Sequence, residues 1–171
     1  RIVHYAQRTR FPNHAIGGSG AKIGIREGRR LVGDHVLRGE EVLDRNEPLD
    51  APDGVAVATS QIDFHSLTKG GKAGWRQRVE CYAIPFRCLV AKGFRNLLMA
   101  GKCISVDQVV HSSCRMTPTC CAMGQAAGTA AALAANLEDI RQLRVGELRA
   151  VLAAEGMELD PAKHIPFALH D

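Results

Sequence analysis

Aromatic side chains are scarce in this chain, with five Phe, two Tyr and one Trp among 171 residues. That leaves little for the base-stacking surfaces of nucleic-acid binders. A strong charge of one sign is also missing. The net charge is only +4, and the basic residues are scattered apart from Arg26, Arg29, Arg30 and the stretch 72–78. No nucleic-acid partner is expected, although a mild positive excess is compatible with an anionic cofactor or an acidic substrate. The six cysteines form no C-x-x-C pair, and Cys120 and Cys121 are adjacent, which suits no disulfide framework. Reduced, mostly buried thiols in a cytoplasmic enzyme are the expectation. Cys81, Cys88, His65 and His111 lack the spacing of a metal site, so no metal is expected.

A lipid-spanning run is absent as well. Residues 116–137 carry no charge and exceed the roughly 20 residues that cross a bilayer. They also contain Gly124-x-x-x-Gly128, a membrane-dimer spacing. Yet the run is mostly Ala, Thr, Gly and Cys, with Gln125 inside it and Leu only at 133 and 137. It suits a tight slot within a protein, and no membrane span is expected. A Gly-rich dinucleotide turn is missing too. Gly18, Gly20 and Gly24 are spaced G-x-G-x-x-x-G, but a poor strand precedes them and a strand-like Lys22-Ile23-Gly24-Ile25 follows. That pattern is a connector, not a strand–turn–helix phosphate loop. The chain begins at Arg1 without an initiating Met or a secretory apolar segment, and is expected to be the C-terminal portion of a longer protein.

What is present concentrates in residues 96–133. The apolar strand at 97–100 stops at Gly101, where a missing side chain lets a ligand approach the backbone. Thr117 is the expected N-cap and Pro118 the first residue of a long helix. No Asp or Glu stands in its first turn, although the helix dipole favours carboxylates there. Free N–H groups beside Arg115 therefore offer a seat for an anion or a polarised carbonyl.

Elsewhere, strands are expected at 22–26, 30–37 and 55–64, a helical turn at 40–43 and a loop at 44–54. A mobile surface loop is expected at 66–77. Extended segments follow at 80–84 and 87–90, with a buried strand at 96–100. Helices are expected at 105–111, 117–136 and 145–155, the last ended by Gly156. The fold class is mixed α/β. The chain divides into an irregular start (1–21), a β-rich part (22–95), a helical part (96–156) and a tail (157–171) that wraps the surface or frays.

Several residues could carry chemistry. Arg115 either faces a ligand or pairs with a surface carboxylate. Arg26, Glu27, Arg29 and Arg30 form a charged cluster, either a structural ion-pair network or a carboxylate clamp. His65 is the first candidate for proton transfer and His111 the second, each against a structural role. Cys103 has no partner spacing for a catalytic dithiol, so burial is its default.

The stretch Ala100-Gly101-Lys102-Cys103-Ile104-Ser105, then Arg115-Met116, then Met123 through Leu133, is similar to the C-terminal part of FAD-dependent oxidoreductases with a glutathione-reductase-like flavin fold. Residues 24–33, 62–65 and 84–87 fit the same family in the same order, so the resemblance covers about residues 20–156. It implies a partial FAD-binding domain with strands from the substrate or cap region, lacking the N-terminal Rossmann βαβ unit. Residues 22–95 would lie on the substrate side and 96–156 on the FAD side. The resemblance further implies that Gly101, Lys102 and Cys103 lie near the ribityl or pyrophosphate portion of FAD. Arg115, Met116 and Thr117 would lie at the pyrimidine edge of its ring. Arg26 and His65 are the implied catalytic candidates toward a small organic substrate.

Lys102 replaces the more usual Arg, and His111-Ser112-Ser113-Cys114 replaces a small Gly-containing turn. The implied activity is transfer of hydride or electrons between substrate and FAD, completed by a missing N-terminal FAD-binding segment. The chain alone is not expected to retain FAD or be active. The alternative is a cofactor-free structural module that self-associates into homo-oligomers.

Overall fold

The computed structural model describes residues 9–65, except 14, 16, 19 and 23, and residues 74–167. The chain is a mixture of helices with two small antiparallel sheets. Strand β1 (Gly54–Ala58) and strand β4 (Tyr82–Pro85) pair with Ala56 opposite Ile84 and Ala58 opposite Tyr82. Both strands are buried along their whole length. This is why β1 reads as an unbroken small, apolar Gly-Val-Ala-Val-Ala instead of an alternating pattern. Strand β2 (Ile62–Phe64) pairs with β3 (Trp75–Gln77), placing Asp63 opposite Arg76 and Phe64 opposite Trp75.

Around the sheets stand the helices α1 (Gly39–Val42), α2 (Gln108–Cys114), α3 (Thr117–Leu133) and α4 (Val145–Ala154). Helices α3 and α4 pack on β1 and on each other, while α2 packs on β2. A core that includes Val55, Ile62, Ile84, Leu89, Ile104, Met123, Leu148 and Leu152 joins them. Asp107 caps α2 by accepting from the Val110 amide at 2.9 Å. Its other oxygen accepts from the Gly39 amide at 2.8 Å, so one carboxylate fixes the starts of α1 and α2. Helix α4 ends with Gly156 at φ 90°. The Gly156 amide donates to Ala153 and the Met157 amide to Leu152, both at 3.0 Å, a Schellman termination that needs the left-handed residue. No helix of the described residues is long and apolar enough to cross a membrane.

Several elements differ from expectation. Residues 22–37 form no ladder; only the bridges Gly33–Ala91 and Leu37–Val106 appear. Residues 24–30 lie mostly on the surface with no neighbouring strand to pair with. The expected 55–64 strand breaks at 59–61, because Phe167 bridges Ser60 and its amide donates to the Thr59 carbonyl. The tail therefore wraps as far as Phe167, with Leu159 and Pro161 buried. The 96–100 segment is not a buried strand. It touches its neighbour through the single bridge Val90–Leu98, its other edge has no strand beside it, and Leu97 is exposed. Residues 87 and 88, expected extended, belong to a tight 3-10 turn over Phe86–Cys88. Of the expected loop at 66–77, residues 66–73 lie outside the described residues, as do 1–8 and 168–171, and 75–77 are β3.

Candidate functional site

Strand β2 builds the centre of the site. Alternation along a strand puts Asp63 and His65 on one face and Phe64 on the other. Phe64 stacks on Trp75 with ring centroids 5.6 Å apart. Asp63 is buried and receives four cationic or ionisable partners. Arg76, its cross-strand neighbour, donates from Nε to Oδ1 at 3.1 Å. Arg26 donates from Nη2 to Oδ2 at 3.1 Å, and His65 Nε2 lies 3.0 Å from the same oxygen. Arg115, the C-cap of α2, reaches Oδ2 at 3.4 Å and the Asp63 carbonyl at 3.2 Å.

Burial pushes the Asp63 carboxyl up, but the hydrogen bonds from His65 and Arg76 outweigh it and hold it at about 2. An ionised carboxylate only accepts. His65 therefore donates from Nε2, and Nδ1 is the ring nitrogen turned away from Asp63. For the buried Arg115 the shift runs downward, first through desolvation and then through the nearby Arg26 charge.

Arg115 also links this cluster to the start of α3. The cap of α3 is Met116, one residue before the expected Thr117, and no side chain caps the helix. Pro118 has no N–H to offer. A cleft of about 180 Å³ opens there, lined by Arg26, Lys102, Arg115, Met116 and Thr117. It has three cations and no carboxylate, with a helix N-terminus pointing in, and that combination attracts anions. A second cleft of about 190 Å³ shares Arg26 and Lys102 and is bordered by Cys103 and residues 25–29. Gly101 has φ 77° and lies under the same turn; an added Cβ would sit 3.9 Å from Cys120. A third cleft of about 490 Å³ is lined by Asp63, Phe64, His65, Gly74 and Arg76. Another cavity, about 530 Å³, lies apart, between Leu97, Leu98 and the small residues of α3.

Thus the structure brings Arg26, His65 and Arg115 onto one carboxylate, and Lys102, Arg115, Met116 and Thr117 around one cleft. Glu27 and Arg30 pair with each other, so the charged cluster divides and Arg26 alone joins Asp63. His111 is buried in α2 with neither ring nitrogen hydrogen-bonded. Burial lowers its pKa, and Glu27, Arg30, Arg115 and the Lys102 backbone are the groups that act on it. The residues that sequence reasoning missed are Asp63 and Arg76. Asp63 is the only charged residue in 55–64, which was the available signal; Arg76 shows itself only through the hairpin register.

A model of the family described as FAD dependent oxidoreductase matches residues 2–152. The chain belongs to this family. No curated protein and no solved structure matches it. For an FAD-dependent oxidoreductase, a carboxylate-free cationic cleft at an uncapped helix start is chemically suited to an anionic cofactor. The two small clefts that share Lys102 have room for an edge of FAD and not for the whole molecule. Cys88 is driven up to about 12 by burial, and Cys114 is also raised by burial, so neither thiol is poised for redox chemistry.

Proposed function

We propose that this chain is the flavin-facing and substrate-facing segment of a flavoprotein oxidoreductase, a partial FAD-binding domain of the glutathione-reductase-like type. The observation that carries this reading is the cleft of Arg26, Lys102, Arg115, Met116 and Thr117 at the start of α3, in a chain of this family. FAD, when bound, supplies the acceptance or release of the electron pair. Lys102, Arg115 and the Thr117 amide favour negative charge at the edge that docks against them. Gly101 keeps the neighbouring backbone open to close approach, and Cys103 borders it. On the other side of Asp63, His65 Nδ1 is the base or acid that moves a proton to or from a small organic substrate. Arg26 holds that substrate, and Asp63 fixes the ring and guanidinium positions.

A nucleotide-binding βαβ unit from upstream completes the site. Helix α3 supports this: Cys121, Gly124, Gln125, Gly128, Ala131 and Ala132 form an exposed face without a single charge. Beside it lies the open edge of residues 97–99. A face of that kind wants a covering partner, and the free thiols are consistent with a cytoplasmic location. The same face favours a second reading, a cofactor-free module that self-associates.

The test is an FAD titration of the protein expressed from the whole reading frame, followed by flavin fluorescence. Lys102→Gln is expected to weaken FAD binding about tenfold, roughly one charge-assisted contact. Equal affinity in the variant would remove the helix-start cleft from the flavin site.

A further inference from the structure

The charge balance around Asp63 points to the class of substrate. Other ion pairs show no cationic excess: Arg141 lies between Asp34 and Asp139, and Arg30 answers Glu27. At Asp63 a single carboxylate faces the guanidinium groups of Arg26, Arg76 and Arg115 together with His65. Three of these partners crowd Oδ2 and Arg76 takes Oδ1, while the guanidinium forks still have donors to give. Each carries five N–H donors, and Arg26 and Arg76 each give one to Asp63. Their side chains are 56% and 61% exposed. The unspent donors therefore border the clefts on either side of Asp63. The 490 Å³ cleft has an apolar wall, Phe64 backed by Trp75, beside the Arg76 fork and His65.

We infer that this site binds small organic carboxylates in the 490 Å³ cleft, with the acid group held by Arg76 and the carbon body against Phe64, while Arg26 adds its positive charge from across Asp63. Asp63 is a positioning residue: it holds the forks and His65 in place and keeps the empty site from carrying its full positive charge. An incoming carboxylate meets surplus guanidinium charge and a fork geometry that suits it bidentately. A neutral amide of the same shape lacks the charge-assisted gain. This inference rests on the substrate side proposed above and adds what the substrate must carry.

Trp75 is the single Trp of the chain and adjoins Arg76, so its emission reports the site directly. The experiment titrates the protein with succinate and with benzoate at constant ionic strength, with succinamide and benzamide as neutral counterparts. A saturable change in Trp75 emission is expected with at least one acid and with neither amide. Arg76→Gln is expected to weaken it about tenfold, Arg26→Gln to weaken it as well, and Arg76→Lys to fall in between. Amides acting like acids, no saturable change with either acid, or unaltered binding in both Gln variants would overturn the inference. Flavin absorbance of the protein from the whole reading frame, with added FAD, separates the two proposals. A carboxylate response in this chain with no flavin uptake by the longer protein counts against the cofactor reading alone; flavin uptake by the longer protein without a carboxylate response in this chain counts against this inference alone.

Discussion

Asp63 gathers partners that lie far away in the chain, with Arg26 37 residues before it and Arg115 52 residues after it. Removing its charge leaves the buried Arg115 guanidinium without a counter-ion. Asp63→Asn is therefore expected to cost about 3 kcal/mol of stability, as breaking one side of a buried pair does. Arg76→Gln, at an exposed partner, should cost under about 1 kcal/mol. Urea unfolding of both variants checks the contrast, and equal losses would mean that Arg115 draws little from Asp63. The pH dependence follows from the same carboxyl. His65 and Arg76 hold it at about 2 in the fold, below the ordinary aspartate value of 3.8, so the folded state takes up its proton later than the unfolded state. That stabilisation is complete above about pH 4 and is lost as the pH falls toward about 2. Asp63→Asn should lack this step in an acid-unfolding curve.

His111 acts in the opposite part of the scale. Burial depresses its pKa below 6.5, so the unfolded chain binds the proton first. Stability is complete above about pH 6.5 and declines on acidification below it. His111→Phe should flatten that decline in urea midpoints measured across the range; an unchanged slope would show that the ring takes up its proton in the folded state.

At the level of elements, what was legible followed from local pattern. Helix α3 announces itself by Thr117-Pro118 and a charge-free run, and α4 by Leu148 and Leu152 on one face with Gly156 at its end. The Met116 cap was missed because Thr117 satisfies the side-chain rule for a cap while the backbone turns one residue earlier. The strands expected near residues 22–37 failed because β-propensity supplies no partner: residues 24–30 lie mostly on the surface, and residues 31–37 meet their neighbours only through single bridges. The hub at Asp63 was illegible as a set, since a strand, a turn before α3 and a surface segment meet there only after folding. Two glycines give an element-scale prediction. Gly101→Ala and Gly156→Ala each place a side chain at positive φ, 77° and 90°, with no steric clash at either position. Each should lower stability by about 1 kcal/mol through backbone strain alone, read from thermal melts. A larger loss at Gly101 would point to packing under the turn that the backbone does not explain.

For the molecule as a whole, the unusual feature is an apolar face that none of the described residues covers. Helix α3 buries Met123, Ala126 and Ala130 and turns its small uncharged residues outward. Ala131 is exposed on that face and borders the 530 Å³ cavity. Ala131→Glu should leave the melt of this chain within about 0.5 kcal/mol yet prevent the protein from the whole reading frame from holding flavin. The most direct measurement is the visible absorbance spectrum of this chain and of that longer protein, each with and without added FAD. A flavin band retained by the longer protein and not by this chain is the expected result. A longer protein that stays colourless and ignores added FAD would contradict the flavoprotein reading.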